Sequence, residues 1–135
     1  MDIASLHDQA QRHRRAGNLA GAEQLYRHIL NAVPRDGAAH QGLAIVFAQQ
    51  GRLDAAVEAI AGAVAADPGN LAALTNQANL LAAAGRPDEA LTSYETALRI
   101  APRSIVLLQG YAATLHMLDR PAQAADAYGR LLALQ

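Results

Sequence analysis

The 135-residue chain contains no cysteine, no tryptophan and no lysine, and its aromatic residues are one phenylalanine and four tyrosines. Without cysteine there is no disulfide framework, no thiolate metal site and no thiol nucleophile, and the redox compartment stays undecided. Charge of either sign is scarce: 11 basic and 12 acidic side chains leave a formal net charge of −1. That balance offers no bulk attraction for nucleic acid or an anionic membrane. Long apolar runs are missing too. The longest, residues 59–66, ends at Asp67 and is far too short to span a bilayer. Met1-Asp2 leads straight into a helix-like segment, with no basic stretch before an apolar core, so no targeting signal is expected and a cytoplasmic location is. Hydrophobic residues nonetheless make up 52%, too many for a disordered tail. All the basic residues are arginine and about a quarter of the chain is alanine, which fits the coding bias of a GC-rich bacterial genome.

Constellations that carry chemistry are absent as well. His7, His13, His28, His40 and His116 form no HExxH pair and no ligand set at useful spacing. No glycine-rich loop links a strand to a helix, so a phosphate cradle is not expected. Asp54, Asp88 and Glu89 fall in first helical turns, where negative charge is locally stabilising. No catalytic, cofactor-binding or metal-binding residue is assigned, and the chain reads as non-enzymatic.

What is present is a period of 34. Proline stands at Pro34, Pro68 and Pro102; glycine at Gly17, Gly51 and Gly85, with Asp119 in the fourth place. Alanine stands at Ala22, Ala56, Ala90 and Ala124, and a large side chain at Tyr26, Ile60, Tyr94 and Tyr128. Each class has a physical task. Residues 38–50 read as one helix, with Leu43, Ala44 and Phe47 at three- and four-residue steps. Gly51 ends it, because the residue just past a helix often takes a left-handed conformation. A second helix follows, with Ala56, Ile60, Ala63 and Val64 on one stripe, until the proline stops it. Asp2, Asp36, Asn70 and Ser104 sit where a side-chain oxygen can cap the next helix, for about 1 kcal/mol each. The repeats are helix–turn–helix hairpins, and the recurrent alanine lets the two helices of a hairpin approach closely.

These residues make the chain resemble the tetratricopeptide repeat family. The second unit fits the family pattern best, with His40, Leu43, Ala44, Phe47, Gly51, Ala56, Ile60, Ala63 and Pro68. The resemblance implies an all-α fold, a right-handed α-solenoid of antiparallel hairpins with about eight helices. The repeats fall at 3–36, 37–70, 71–104 and 105–135, the last cut one residue before its proline, as in the N-terminal part of a longer chain. Gln9 and His13 replace apolar residues in the first unit, as expected for a terminal repeat with one side in water. The apolar ending Leu131-Leu132-Ala133-Leu134 lacks a polar cap. Self-association, or a next repeat, is therefore expected at an edge made by Tyr128, Leu131, Leu132 and Leu134.

The family's groove is built from the first helix of each hairpin. Carried over, its groove-facing positions include His7, Gln11, Arg14 and Arg15 in the first unit and Gln41, Ile45 and Gln49 in the second. The third and fourth contribute Thr75, Asn79, Gln109, Ala113 and His116, with Asn76 at the edge. Amide side chains are donors and acceptors at once and suit the backbone of an extended peptide. The resemblance thus implies a protein-interaction scaffold. The alternative is a substrate-recruiting arm of a larger bacterial glycosyltransferase, sulfotransferase or hydroxylase.

Two subtypes can be compared with the residues. The clamp that holds chaperone C-terminal carboxylates needs cations. In the two possible registers it lands on His7, Gln11, Gly42, Ala72 and Asn76, or on Gln41, Ile45, Asn76, Val106 and Gly110, so it is rejected. Asn76 and Asn79 do resemble the groove asparagines of protein O-glycosyltransferases, though in one unit alone. The one basic cluster, Arg12-His13-Arg14-Arg15, falls at a helix end, where cations are stabilised by the helix dipole. The tyrosines and the phenylalanine sit at core positions and leave nothing for base stacking, so no nucleic-acid partner is expected.

Ala90→Leu should overpack the third hairpin and cost about 1–3 kcal/mol, read as a lower midpoint in thermal melts. An unchanged midpoint would contradict the placement of this alanine between helices.

Overall fold

A computed structural model describes residues 2–135. The described residues form eight helices and no strand. In chain order these are α1 (Ile3–Arg15), α2 (Leu19–Ala32), α3 (Gly37–Gln49), α4 (Leu53–Ala66), α5 (Leu71–Ala83), α6 (Pro87–Ile100), α7 (Ile105–Met117) and α8 (Pro121–Ala133). None is long and apolar enough to cross a membrane.

The starts and stops are chemical. Asp2, Asp36, Asn70 and Ser104 cap the first helices, their side-chain oxygens accepting from the amides of Ser5, Ala39, Ala73 and Leu107. Among the second helices only α2 has such a bond, from the Gly21 amide to Asn18. Helices α6 and α8 begin with Pro87 and Pro121, at a position where a missing N–H is no loss. The first helices end through one recurring bond. The amides of Asn18, Arg52, Arg86 and Arg120 donate to the carbonyls of His13, Phe47, Leu81 and Leu115 at 2.8–3.0 Å. That closure needs a left-handed residue just before the donor. Gly17, Gly51 and Gly85 supply it at φ 85°, 76° and 77°, and Asp119 takes it at 55°.

The helices fall into two compact units, residues 1–68 and 69–135. In the first, hairpins α1/α2 and α3/α4 pack mainly through α2 on α3; in the second, α5/α6 and α7/α8 pack mainly through α6 on α7. Ala22, Ala56 and Ala90 are fully buried and Ala124 nearly so. In the second unit Leu91, Ala112, Leu115, Ala124 and Ala127 form one core cluster.

The fit between hairpins is set by a ring on bare backbone. A Cβ built on Gly42 would lie 2.2 Å from the Tyr26 ring, and one on Gly110 would lie 2.5 Å from the Tyr94 hydroxyl. Both tyrosines are almost wholly buried. Glycine inside a helix costs about 0.5–1 kcal/mol against alanine, and here the ring requires it. His40 sits over Gly62 in the same way, 2.5 Å from the would-be Cβ, and its Nε2 bonds the Pro34 carbonyl at 3.0 Å. This histidine is a packing residue.

Gly42→Ala tests the seat. Despite better helix propensity, it should lower stability by about 1–3 kcal/mol, because the ring must move. A denaturant melt with an unchanged or higher midpoint would show that the ring has room.

Candidate functional site

The first-helix face of the first unit is made by α1 and α3. Gln11, Arg15 and Gln49 are exposed there, while His7, Arg14, Gln41 and Ile45 are half-buried. Two donors stand out: Arg14 Nε and Gln41 Nε2 are withdrawn from solvent and have no hydrogen-bond partner. Buried donors left unsatisfied cost roughly 1–3 kcal/mol each, so they favour any ligand that brings an acceptor. A shallow recess of about 570 Å³ lies along α1, lined by Asp2, Ala4, Ser5, His7, Asp8 and Gln11.

His7 is not a free groove residue. Its ring N–H donates to Asp36 Oδ2 at 2.9 Å, and the other oxygen of Asp36 accepts from the Ala39 amide at 2.9 Å. One carboxylate thus caps α3 and ties α1 to it. Burial pushes the Asp36 carboxyl up, but the His7 and Ala39 bonds outweigh it and hold the group below the ordinary carboxylate range.

In the second unit the face is made by α5 and α7. Asn79 is exposed, yet its side-chain oxygen accepts from the Tyr94 hydroxyl at 2.6 Å, which leaves the amide N–H groups for a ligand. Burial raises the Tyr94 hydroxyl above its ordinary value, so at neutral pH it is a donor. Thr75 is half-buried and donates to the Leu71 carbonyl at 2.8 Å. Asn76 is half-buried, and Gln109, Ala113 and His116 are exposed along α7.

Other predicted positions fall elsewhere. The basic run does end α1; Arg12 pairs with Asp8 at 2.5 Å, and His13 Nδ1 lies 2.9 Å from Asn18 Nδ2. On α8 the expected edge needs one correction. Leu131 is buried, because it shares a stripe with Ala124 and Ala127 that packs on the hairpin. Tyr128 and Leu132 are exposed and Leu134 is half-buried.

Some organisation escaped the sequence. Ser93 is buried and its hydroxyl donates to Gln77 Oε1 at 3.1 Å, a polar link inside the third hairpin. In the first unit, Arg52 and Arg27 lie 4.4 and 5.8 Å from the Phe47 ring centre. Glu23 accepts from both guanidinium groups, at 2.9 and 3.0 Å. Burial raises the Glu23 carboxyl, and the two arginines more than reverse it. The 29-residue separation of Glu23 from Arg52 follows no repeat step, so periodicity gave no sign of it. Among the described residues no group of three histidine, aspartate or glutamate side chains could hold a metal.

Asp36→Asn keeps the cap but removes the charge. A depressed carboxyl stabilises the fold above its unfolded value, near pH 3.9, and the benefit disappears as pH falls through the folded value. The variant should therefore melt below the parent at pH 6 and together with it near pH 2. An equal gap at both values would contradict the charged pairing.

Comparisons with known proteins agree with this architecture. The tetratricopeptide repeat family model matches residues 7–70 and 54–105. No match was found among curated protein sequences. Among solved structures, a crystal structure of MamA superposes with a TM-score of 0.91 at 16% identity, covering 98% of this chain and 78% of that one. MamA 41-end from Desulfovibrio magneticus RS-1 gives 0.88 at 16% identity, over 98% and 75%. The O-GlcNAc transferase of Thermobaculum terrenum (K341M mutant) gives 0.73 at 27% identity, over 84% of this chain and 22% of that enzyme. The likeness to MamA is one of fold, that of the helical-hairpin solenoids.

Proposed function

The chain belongs to the tetratricopeptide repeat family, and from that premise we propose that it is an interaction scaffold whose first-helix faces bind an extended segment of a partner protein. The observation that carries this reading is the pair of unsatisfied donors, Arg14 Nε and Gln41 Nε2, on the face of α1 and α3. An extended peptide offers a backbone carbonyl at every residue and can satisfy such donors whatever its sequence. Gln49, Asn79 and Gln109 add amide groups of the same kind. Arg14 and Arg15 further favour a segment with an acidic residue at that end. The working location is the cytoplasm, and the chemistry, if the scaffold serves any, lies in a partner.

A second reading is supported by the likeness to the O-GlcNAc transferase together with Asn76 and Asn79. The array would then present protein substrates to a catalytic domain elsewhere in the same polypeptide. Reading the parent gene past residue 135 decides between them: a transferase, sulfotransferase or hydroxylase domain there would make the scaffold an arm of that enzyme.

Selection from a random 12-residue peptide library tests the binding itself. The parent chain should enrich extended, acceptor-rich peptides, and Gln41→Ala with Asn79→Ala should weaken them about tenfold, the equivalent of roughly 1.4 kcal/mol. No enrichment, or equal binding by the variant, would overturn the reading. Arg14→Glu with Arg15→Glu separates the acidic preference, which should invert or vanish.

A further inference from the structure

We infer that the segment held by the second unit is uncharged and packs apolar side chains on Val106 and Met117 of α7, an inference that rests on the scaffold reading. Neither α5 nor α7 contains an aspartate, a glutamate or an arginine. The outward face of a helix is normally where charge collects. A face without it offers no counter-charge to an ionised ligand, whose desolvation would go uncompensated. In place of charge stand two large apolar side chains: Val106 is 66% exposed and Met117 62%. They are 11 residues apart, close to three full turns, so they share one face of α7, with the exposed Ala113 between them.

Their exposure does not come from the place of α7 in the last hairpin. Val106 and Met117 are the second and thirteenth residues of their repeat. The same two places are Ala4 and Arg15 on α1, and Ala72 and Ala83 on α5. All four are exposed, although a further hairpin follows each of these helices within its unit. A following hairpin therefore leaves these places open. What sets α7 apart is the residues themselves, since α3 has Ala38 and Gln49 there and only α7 has a large apolar side chain at either place.

The neighbouring helix indicates that an extended chain covers them. Asn79, at the ninth place of its repeat on α5, is exposed, and its side-chain oxygen is held by the Tyr94 hydroxyl at 2.6 Å. What the amide has left to offer is its N–H groups. An extended segment presents a free carbonyl at each residue, whereas a helix of a partner or of a second copy has its carbonyls engaged within its own turns. Methionine is unbranched and polarizable and adapts to neighbours of different shape. The preference is therefore for apolar side chains as a class. The thirteenth place thus carries Arg15 in the first hairpin and Met117 in the fourth, and the two units select different chemistry.

Among peptides selected from the 12-residue library, those whose binding falls with Asn79→Ala are held by the second unit. They should carry at least two of leucine, isoleucine, valine, methionine or phenylalanine. Val106→Gln with Met117→Gln places a good helix former in open space and should leave the melting temperature unchanged. This double variant should bind the best such peptide at least about tenfold more weakly. The same peptide with its apolar residues changed to serine should bind parent and variant alike. Three outcomes would overturn this inference alone and leave the scaffold reading standing: no selected peptide depends on Asn79, those that do lack apolar side chains, or parent and double variant bind them equally. A library with no enrichment overturns both. A dimer in sedimentation velocity that the double variant abolishes would overturn the inference in favour of a second copy.

Discussion

A tyrosine ring resting on backbone that carries no side chain fixes the distance between neighbouring hairpins in each unit. Helix axes in contact usually lie about 8–10 Å apart, and a large ring can be accommodated only where the facing helix gives up its Cβ. Tyr26 on Gly42 and Tyr94 on Gly110 are two instances of one solution. The alanines at 22 and 90, one turn before each ring, are fully buried and keep the helices of the same hairpin close. The ring also has a polar end that must be satisfied. In the second unit that end reaches Asn79, a residue of the first-helix face. Packing between hairpins and the orientation of the Asn79 amide are therefore linked through one ring, and a disturbance of the seat would be felt at the face.

The fold was largely legible because its punctuation is local. A cap needs an oxygen three residues before an amide, a left-handed terminus needs glycine, and a proline cannot continue a helix. Each requirement acts within a few residues, and each recurs every 34. Hence Asp36, Asn70 and Ser104 bond as caps, and Gly51 and Gly85 are left-handed. Asp119 takes the same conformation without being glycine, which aspartate does more readily than most residues.

The face was legible only as positions. A repeat register identifies which residues occupy equivalent places, and the polar contacts that modify the face join places that are not equivalent. His7 meets Asp36 across 29 residues, and Ser93 meets Gln77 across 16. Neither pair recurs in another hairpin, since the residues 34 positions away from His7 are Gln41 and those from Ser93 are Ala59 and Ala127. The same reasoning explains Leu131. A run of leucines looks uniformly apolar in sequence, but at 100° per residue one of them faces the hairpin while its neighbour faces outward.

The ring-and-seat rule also shows that these repeats are not interchangeable. Sixteen residues after Tyr26 and after Tyr94 the chain carries glycine; sixteen residues after Ile60 it carries Asn76. Isoleucine is shorter than tyrosine and carries no ring, and position 76 keeps its side chain where the other two places have only a Cα. Asn76 and Asn79 both stand on α5, so the asparagines of the first-helix faces are concentrated in one helix. In the second unit, shape at the joint and chemistry on the face meet in Tyr94, which rests on Gly110 and bonds Asn79, and neither could be altered freely without the other.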